Sequence, residues 1–150
     1  MPMTGSGAEP QLTSRLGTVS RVRRQDVAIM YTDVAFEVEA IQAGWPEFEA
    51  KFDSLRGRRL MAVVFPEQGI YRLATAMRDD DDPDSLGLDM GALPGGPYLL
   101  LHLEGRPQDV YRNIGPAFEE LHFLGDHDAS RPSIELYVGQ GEVDCLLPVR

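Results

Sequence analysis

A carboxylate flanked by apolar residues is the side chain of this sequence best suited to bind a ligand. Glu135 lies in the run Ile134–Val138, where strand alternation sends Glu135 and Tyr137 to one face and the apolar side chains to the other. If helices cover the apolar face, the acid and the phenol line the wall of a cleft. A carboxylate beside an aromatic ring suits a cationic ligand, through charge pairing and cation–π attraction. The alternative, which alternation alone favours, is a solvent-facing glutamate on a half-buried strand.

Four further residues are candidates for the same pocket. Trp45 is the only tryptophan and lies at a break in a predicted helix, where its ring either packs in the core or lines a pocket wall. Tyr71 is a second aromatic candidate on a strand, with core packing as the alternative. By position in the repeat described below, Met61 takes the place of Glu135, so that one half supplies an apolar wall. His102 alternates with leucines and faces either a pocket or solvent.

Other chemistry is not expected from the motifs. The acidic run at residues 79–84 lacks the glycine and glutamate spacing of an EF-hand loop and indicates a solvated linker. His122, Asp126 and His127 are close in sequence, but the helix that carries the first of them ends near Gly125. No phosphate loop, Gly-x-Ser-x-Gly or His-Glu-x-x-His motif occurs. The sequence therefore predicts no metal site and no cofactor.

The elements that position these residues occur twice. Residues 41–49 and 110–119 share a Pro-x-Phe-Glu core on a one-sided apolar helix stripe, and each helix is predicted to break near its proline. A predicted β-hairpin follows each helix. The stripes consist of Val38, Ile41, Trp45, Phe48, Phe52 and Leu55 in the first copy, and Val110, Ile114, Ala117, Leu121 and Leu124 in the second.

This order predicts an α+β fold of tandem βαββ repeats with pseudo-two-fold symmetry. We expect an antiparallel sheet with helices on one face and a ligand groove between the repeats. Repeat one covers residues 18–78 and is predicted to begin with a single strand over residues 19–30. An acidic linker covers 79–96 and repeat two covers 97–150. Residues 1–17 are predicted to be a disordered leader that is too short for a helix-turn-helix.

Composition excludes several partners. The chain has 150 residues and a formal net charge of −10, which disfavours direct contact with nucleic acid and with anionic membrane surfaces. A single cysteine, Cys145, fits a reducing cytoplasm, and its apolar neighbours indicate a buried, inert thiol. The sequence shows no signal peptide and no membrane-spanning segment, so a cytoplasmic location is expected.

The second half, with parts of the first, resembles the GyrI-like small-molecule-binding domain. This family includes the effector-binding domains of multidrug-responsive bacterial transcription activators. The resemblance covers about residues 18–150 and rests on the order and spacing of residues 41–52, 71–76, 93–105, 117–121, 131–137 and 141–149. It implies that Glu135 is the central pocket carboxylate and that Tyr137 and Trp45 line the groove.

Three functions are compatible with these residues. The preferred hypothesis is a standalone binder of lipophilic, cationic or aromatic small molecules that senses or sequesters toxic compounds, without catalysis. The second is a hydrolase of electrophilic compounds, with Glu135 as general base and Tyr137 as hydrogen-bond donor. The third is an acidic module of gyrase-inhibitor type that binds a protein partner. The ligand and the oligomeric state stay open.

Overall fold

The computed structural model describes residues 12–150, which form nine strands and four helices. The strands are β1 (Leu12–Ser14), β2 (Gly17–Arg24), β3 (Val27–Ala35), β4 (Leu60–Phe65), β5 (Ile70–Ala76), β6 (Asp89–Leu93), β7 (Gly96–Glu104), β8 (Ser133–Gly139) and β9 (Glu142–Pro148). The helices are α1 (Val38–Glu49), α2 (Pro83–Leu86), α3 (Pro107–Arg112) and α4 (Ile114–Leu124), and a 3-10 turn spans Pro66–Gln68.

The strands form one antiparallel sheet with an approximate two-fold axis at its centre. Its order is β1-β2-β7-β9-β8-β4-β5-β3-β6. The units β3-α1-β4-β5 and β7-α3/α4-β8-β9 fill the two halves of this sheet and meet where β4 pairs with β8. The tandem βαββ architecture predicted from the duplicated pattern is thereby confirmed.

Each repeat gives its leading strand to the other repeat. Strand β2 precedes β3 but pairs with β7, while β6 precedes β7 but pairs with β3. Only Gln25 and Asp26 separate β2 from β3, although these strands lie near opposite ends of the sheet order. Because so short a connection spans about 11 Å at most, the sheet must curl until its ends meet. The Gly95 amide donates a hydrogen bond of 2.6 Å to Asp26 at this meeting point.

The curled sheet has a core on each face. The concave face holds an apolar cluster that draws on both sheet ends, including Ile29 on β3 and Tyr98 on β7. The convex face carries the helices, with α1 packed on β3 and β5 and α4 packed on β7 and β9. The helices therefore lie on one face, as expected. It is, however, the face of Glu135, whereas Ile134 and Leu136 point into the concave core.

The helices follow their predicted stripes but end earlier or break elsewhere. Helix α1 stops at Glu49 instead of continuing to Leu55, and it tolerates Pro46 in its interior. The second stripe breaks at Asn113, which ends α3 and precedes α4, and not at Gly115-Pro116. No helix among residues 12–150 has the length and apolar character needed to span a membrane.

Three segment predictions need correction. The single strand predicted over residues 19–30 is two strands, because the sheet turns at Gln25 and Asp26. Within the predicted disordered leader, residues 12–14 form strand β1 against β2, Arg15 and Leu16 form a turn, and Gly17 begins β2. Residues 1–11 of that prediction lie outside the described residues. The linker at 79–96 contains α2 and β6, because β3 has an open edge for β6 to pair with.

The meeting point of the sheet ends generates a stability prediction. A Cβ at Gly95 would lie 2.5 Å from the Arg24 carbonyl oxygen and 2.7 Å from the Gln25 carbonyl carbon, both of them backbone atoms. We expect Gly95→Ala to lower the free energy of unfolding by about 1–3 kcal/mol, since the backbone must shift to admit the methyl group. Urea unfolding followed by circular dichroism measures this change.

Gly115→Ala is the matched control. Gly115 lies in helix α4, and a Cβ there meets no atom within 4 Å. We expect this substitution to raise the free energy of unfolding by about 0.5–1 kcal/mol through helix propensity. Equal effects from the two substitutions would contradict the proposed closure of the sheet at Gly95.

Candidate functional site

Glu135 lies at the junction of the two repeats, on the helix face of strand β8. Its cross-strand neighbours on the same face are Ala62 of β4 and Cys145 of β9. Ala62 belongs to the apolar cluster under α1, and Cys145 belongs to the cluster under α4. The carboxylate therefore sits between the two helix-covered cores, and the residue is only 8% exposed.

Two tyrosine hydroxyls hold the carboxylate. The Tyr137 hydroxyl donates a hydrogen bond of 2.6 Å to Glu135 Oε1, and the Tyr71 hydroxyl donates one of 2.8 Å to the same oxygen. The two hydroxyl oxygens are 3.3 Å apart. Within residues 12–150 no hydrogen bond reaches Oε2 and no lysine or arginine forms an ion pair with Glu135. The buried acid thus has neutral donors but no counter-charge in this part of the chain.

Burial shapes the acid–base properties of the group. Desolvation raises the pKa of the Glu135 carboxyl above its usual value, and the hydrogen bonds from Tyr137 and Tyr71 partly offset this rise. Burial, reinforced by the neighbouring carboxylate, also raises the pKa of Tyr71 and of Tyr137 above the usual tyrosine range. Both phenols therefore stay protonated at neutral pH and act as donors.

An aromatic cluster encloses the three polar groups. Trp45 of α1 packs edge-on against Tyr137 at 5.4 Å and against Tyr71 at 6.5 Å between ring centroids. Phe36, between β3 and α1, stacks on Tyr71 at 6.1 Å, and Tyr111 of α3 approaches Tyr137 at 6.4 Å. The outer rings of Phe36 and Tyr111 are 45% and 47% exposed. The cluster therefore bridges both repeats and reaches from the buried acid to the surface.

The structure brings together four of the six residues proposed from the sequence. Tyr71 and Tyr137 each contact both Glu135 and Trp45, whereas Met61 lies on the opposite face of the sheet and His102 lies on β7. The prediction that Met61 takes the place of Glu135 in the first repeat is wrong by one residue. Ala62 is the residue opposite Glu135, and Met61 pairs with Leu136. A one-residue change in register moves a side chain to the other face, and Met61 accordingly lies in the concave core.

His102 lies two strands away from Glu135, on β7. Its neighbours Leu101 and Leu103 point into the core under α4, so the imidazole projects from the opposite face and is exposed. Its Nδ1 lies 2.6 Å from Asp144 Oδ1. The carboxylates of Asp144, Glu104 and Glu142 raise the pKa of His102, and the Asp144 hydrogen bond is the largest cause.

Sequence reasoning missed Phe36 and Tyr111. Phe36 precedes the first helix stripe, and Tyr111 lies beside Val110 but off the second stripe. The sequence did carry a signal for both residues: each is an aromatic residue next to an apolar helix stripe but not part of it. Such a side chain borders the apolar face without being buried in it.

Two cavities, of about 230 and 210 Å³, lie away from this aromatic cluster. One is lined by Leu124 and Val149, and the other by Val110 and Leu103.

Comparison with solved structures identifies the fold. The protein SAV2435, solved with bound tetraphenylphosphonium, is 15% identical, with a TM-score of 0.58 and coverage of 88% of this chain and 93% of that one. The chain shares the α+β fold of this protein. This confirms the fold expected from the sequence resemblance.

Two other solved structures share this fold. A candidate transcription regulation protein from Staphylococcus aureus MU50 is 14% identical, with a TM-score of 0.59 and coverage of 88% and 97% of the two chains. A protein from Listeria innocua described as a hydrolase is 10% identical, with a TM-score of 0.53 and coverage of 88% and 91%. No family model and no curated protein matches the sequence significantly.

The buried carboxyl predicts a specific pH dependence. A carboxyl whose pKa is raised on folding binds more protons in the folded state, so its contribution to stability falls as pH rises above about 4.5 and through the raised pKa. We expect Glu135→Gln to gain stability relative to the unmodified protein across this window, by about 1.4 kcal/mol for each pH unit that the window spans. Urea unfolding at a series of pH values gives this difference.

The exposed Glu119 of α4 supplies the control, since Glu119→Gln removes the same charge without changing a buried group. The pH dependence of its stability difference is the reference for that of Glu135→Gln. Identical pH dependence in the two variants would show that folding does not desolvate Glu135.

Proposed function

We propose that this protein binds lipophilic organic cations at the junction of its repeats, with Glu135 as the counter-charge and the surrounding aromatic rings as walls. The observation that carries this proposal is a buried carboxylate that, among residues 12–150, is hydrogen-bonded only to tyrosine hydroxyls and is enclosed by aromatic rings. A delocalised cation has apolar surface for the rings to cover and a charge for the acid to balance. It also needs no hydrogen-bond partner, and the part of the site that the structure describes offers no donor to Glu135 other than its two tyrosines.

The aromatic composition favours this class of ligand. Ring faces attract cations by about 0.5–2 kcal/mol each, and more strongly when water is excluded. Trp45, Tyr71 and Tyr137 surround the carboxylate, while Phe36 and Tyr111 are half-exposed at its rim. Under this proposal, a ligand enters when these two half-exposed side chains rotate away from the tyrosines. The tetraphenylphosphonium held by the structural neighbour SAV2435 is an ion of this chemical class.

We propose that this binding serves to sense or to sequester toxic cationic compounds. This role rests on the binding proposed at the junction of the repeats. A binder of this kind limits the free concentration of a compound, or signals its presence through a separate regulator.

Tetraphenylphosphonium titration tests the proposed binding. Trp45, the only tryptophan, lies in the site and reports on it by fluorescence. We expect saturable quenching by tetraphenylphosphonium, and Glu135→Gln should weaken binding by about tenfold or more because the buried charge loses its partner. Glu119→Gln should leave the affinity unchanged.

Tetraphenylborate provides a control of the same shape and opposite charge. We expect no saturable binding of this anion to the unmodified protein. Equal affinity for the two ions, or unchanged tetraphenylphosphonium binding in Glu135→Gln, would refute the role of Glu135 as counter-charge.

Hydrolysis of electrophilic compounds is the second candidate, favoured by the raised pKa of Glu135 and the two hydroxyl donors beside it. A buried carboxylate with a raised pKa is a stronger base near neutral pH than an exposed one. If Glu135 is a general base, 4-nitrophenyl acetate will yield nitrophenolate in molar excess over protein. Glu135→Gln will abolish that turnover, and Glu119→Gln will not. Product release limited to the background rate would remove this candidate.

A further inference from the structure

A second cluster of metal-ligating side chains lies on the sheet face opposite Glu135. His102 and Glu104 are two residues apart on β7 and share a face, and the β7–β9 register places Asp144 opposite His102 and Glu142 opposite Glu104. Ligand atoms of His102, Glu104 and Glu142 all lie within 4.8 Å of one another. Because these side chains are exposed or half-buried, an ion can reach them from solvent.

Asp144 fixes the orientation of the imidazole. Nδ1 lies 2.6 Å from the Asp144 carboxylate, which can only accept, so Nδ1 is the donor. In the neutral ring Nε2 then carries the free lone pair. Nε2 faces two carboxylate oxygens, at 3.9 Å from Glu104 and 4.0 Å from Glu142. A carboxylate that orients a histidine through its second nitrogen is the usual arrangement around protein-bound metals.

The charges around His102 are unbalanced. Glu104 and Glu142 lie directly opposite each other across the ladder, where like charges destabilise a sheet. The charged groups that act on His102 are the carboxylates of Asp144, Glu104 and Glu142. Among residues 12–150, no lysine or arginine forms an ion pair with these three acids. A divalent cation would neutralise the excess negative charge.

We propose that His102 Nε2, Glu104 and Glu142 bind a divalent transition-metal ion of the Zn²⁺ type, with Asp144 as the positioning residue. Two ligands at about 2.1 Å from a tetrahedral zinc are about 3.4 Å apart. The observed separations of 3.9 and 4.0 Å exceed this by about half an ångström, which exposed glutamate side chains can close by small torsional changes. One imidazole and two carboxylates leave a coordination position open to solvent. The site is independent of the Glu135 pocket.

Isothermal titration with Zn²⁺ on the full chain tests this site. We expect a one-to-one binding event, which His102→Gln and Glu142→Gln each weaken by about tenfold or more. Both residues lie outside the apolar cores, so the variants should keep the fold, as circular dichroism can verify. Glutamine at either position keeps a similar size while removing the imidazole nitrogen or the charge.

His122→Gln is the matched histidine control. His122 meets His127 edge to face, with ring centroids 4.6 Å apart, which makes this pair the other place in the described chain where zinc could find imidazole ligands. Zinc binding that survives in His122→Gln and weakens in His102→Gln supports the proposal. Binding lost only in His122→Gln, unchanged in both site variants, or absent from the unmodified protein would overturn it.

Discussion

The cost of placing a carboxylate in the interior governs the organisation of this molecule. An isolated buried charge is expensive, and hydrogen bonds from neutral groups recover only part of its lost hydration. Glu135 receives two such bonds, from Tyr71 and Tyr137, on a single oxygen. These residues come from β5 and β8, and Trp45 from α1 packs on both. Strands and helix are therefore arranged around one incompletely balanced acid, which can accept either a proton or an external positive charge.

The backbone around this acid is nearly symmetric, but its chemistry is not. The pseudo-two-fold axis passes between β4 and β8, where Ala62 faces Glu135 directly. The small side chain of Ala62 leaves room for the Glu135 carboxylate and for the phenols of Tyr71 from the first repeat and Tyr137 from the second. Tyr137 packs against the apolar clusters under both helices, so the polar group is framed by cores from both repeats. The two repeats thus share one backbone arrangement, and the side chains that differ between them form the candidate site.

A strand, helix or site contact could be predicted from the sequence when its signal lies within a short segment of the chain. Apolar runs and turn residues indicated both hairpins and the helix stripes, because alternation and helical period are properties of short segments. The boundary between β2 and β3 was missed because Gln25 and Asp26 carry no glycine or proline signal. Met61 was misplaced by one residue because register depends on pairing between distant strands. Contacts of Phe36 and Tyr111 with the site depend on tertiary packing, which no local pattern encodes.

Because each repeat pairs with the leading strand of the other, neither repeat is structurally complete on its own. One repeat alone would have its leading strand detached and the outer edge of its own β3 or β7 left open. Two copies of a half-length chain could satisfy both edges by mutual donation, which is domain swapping by a low-cost route. The covalent fusion makes that donation intramolecular. Cutting the chain between the repeats should therefore yield fragments that recover their fold by reassociation and not singly.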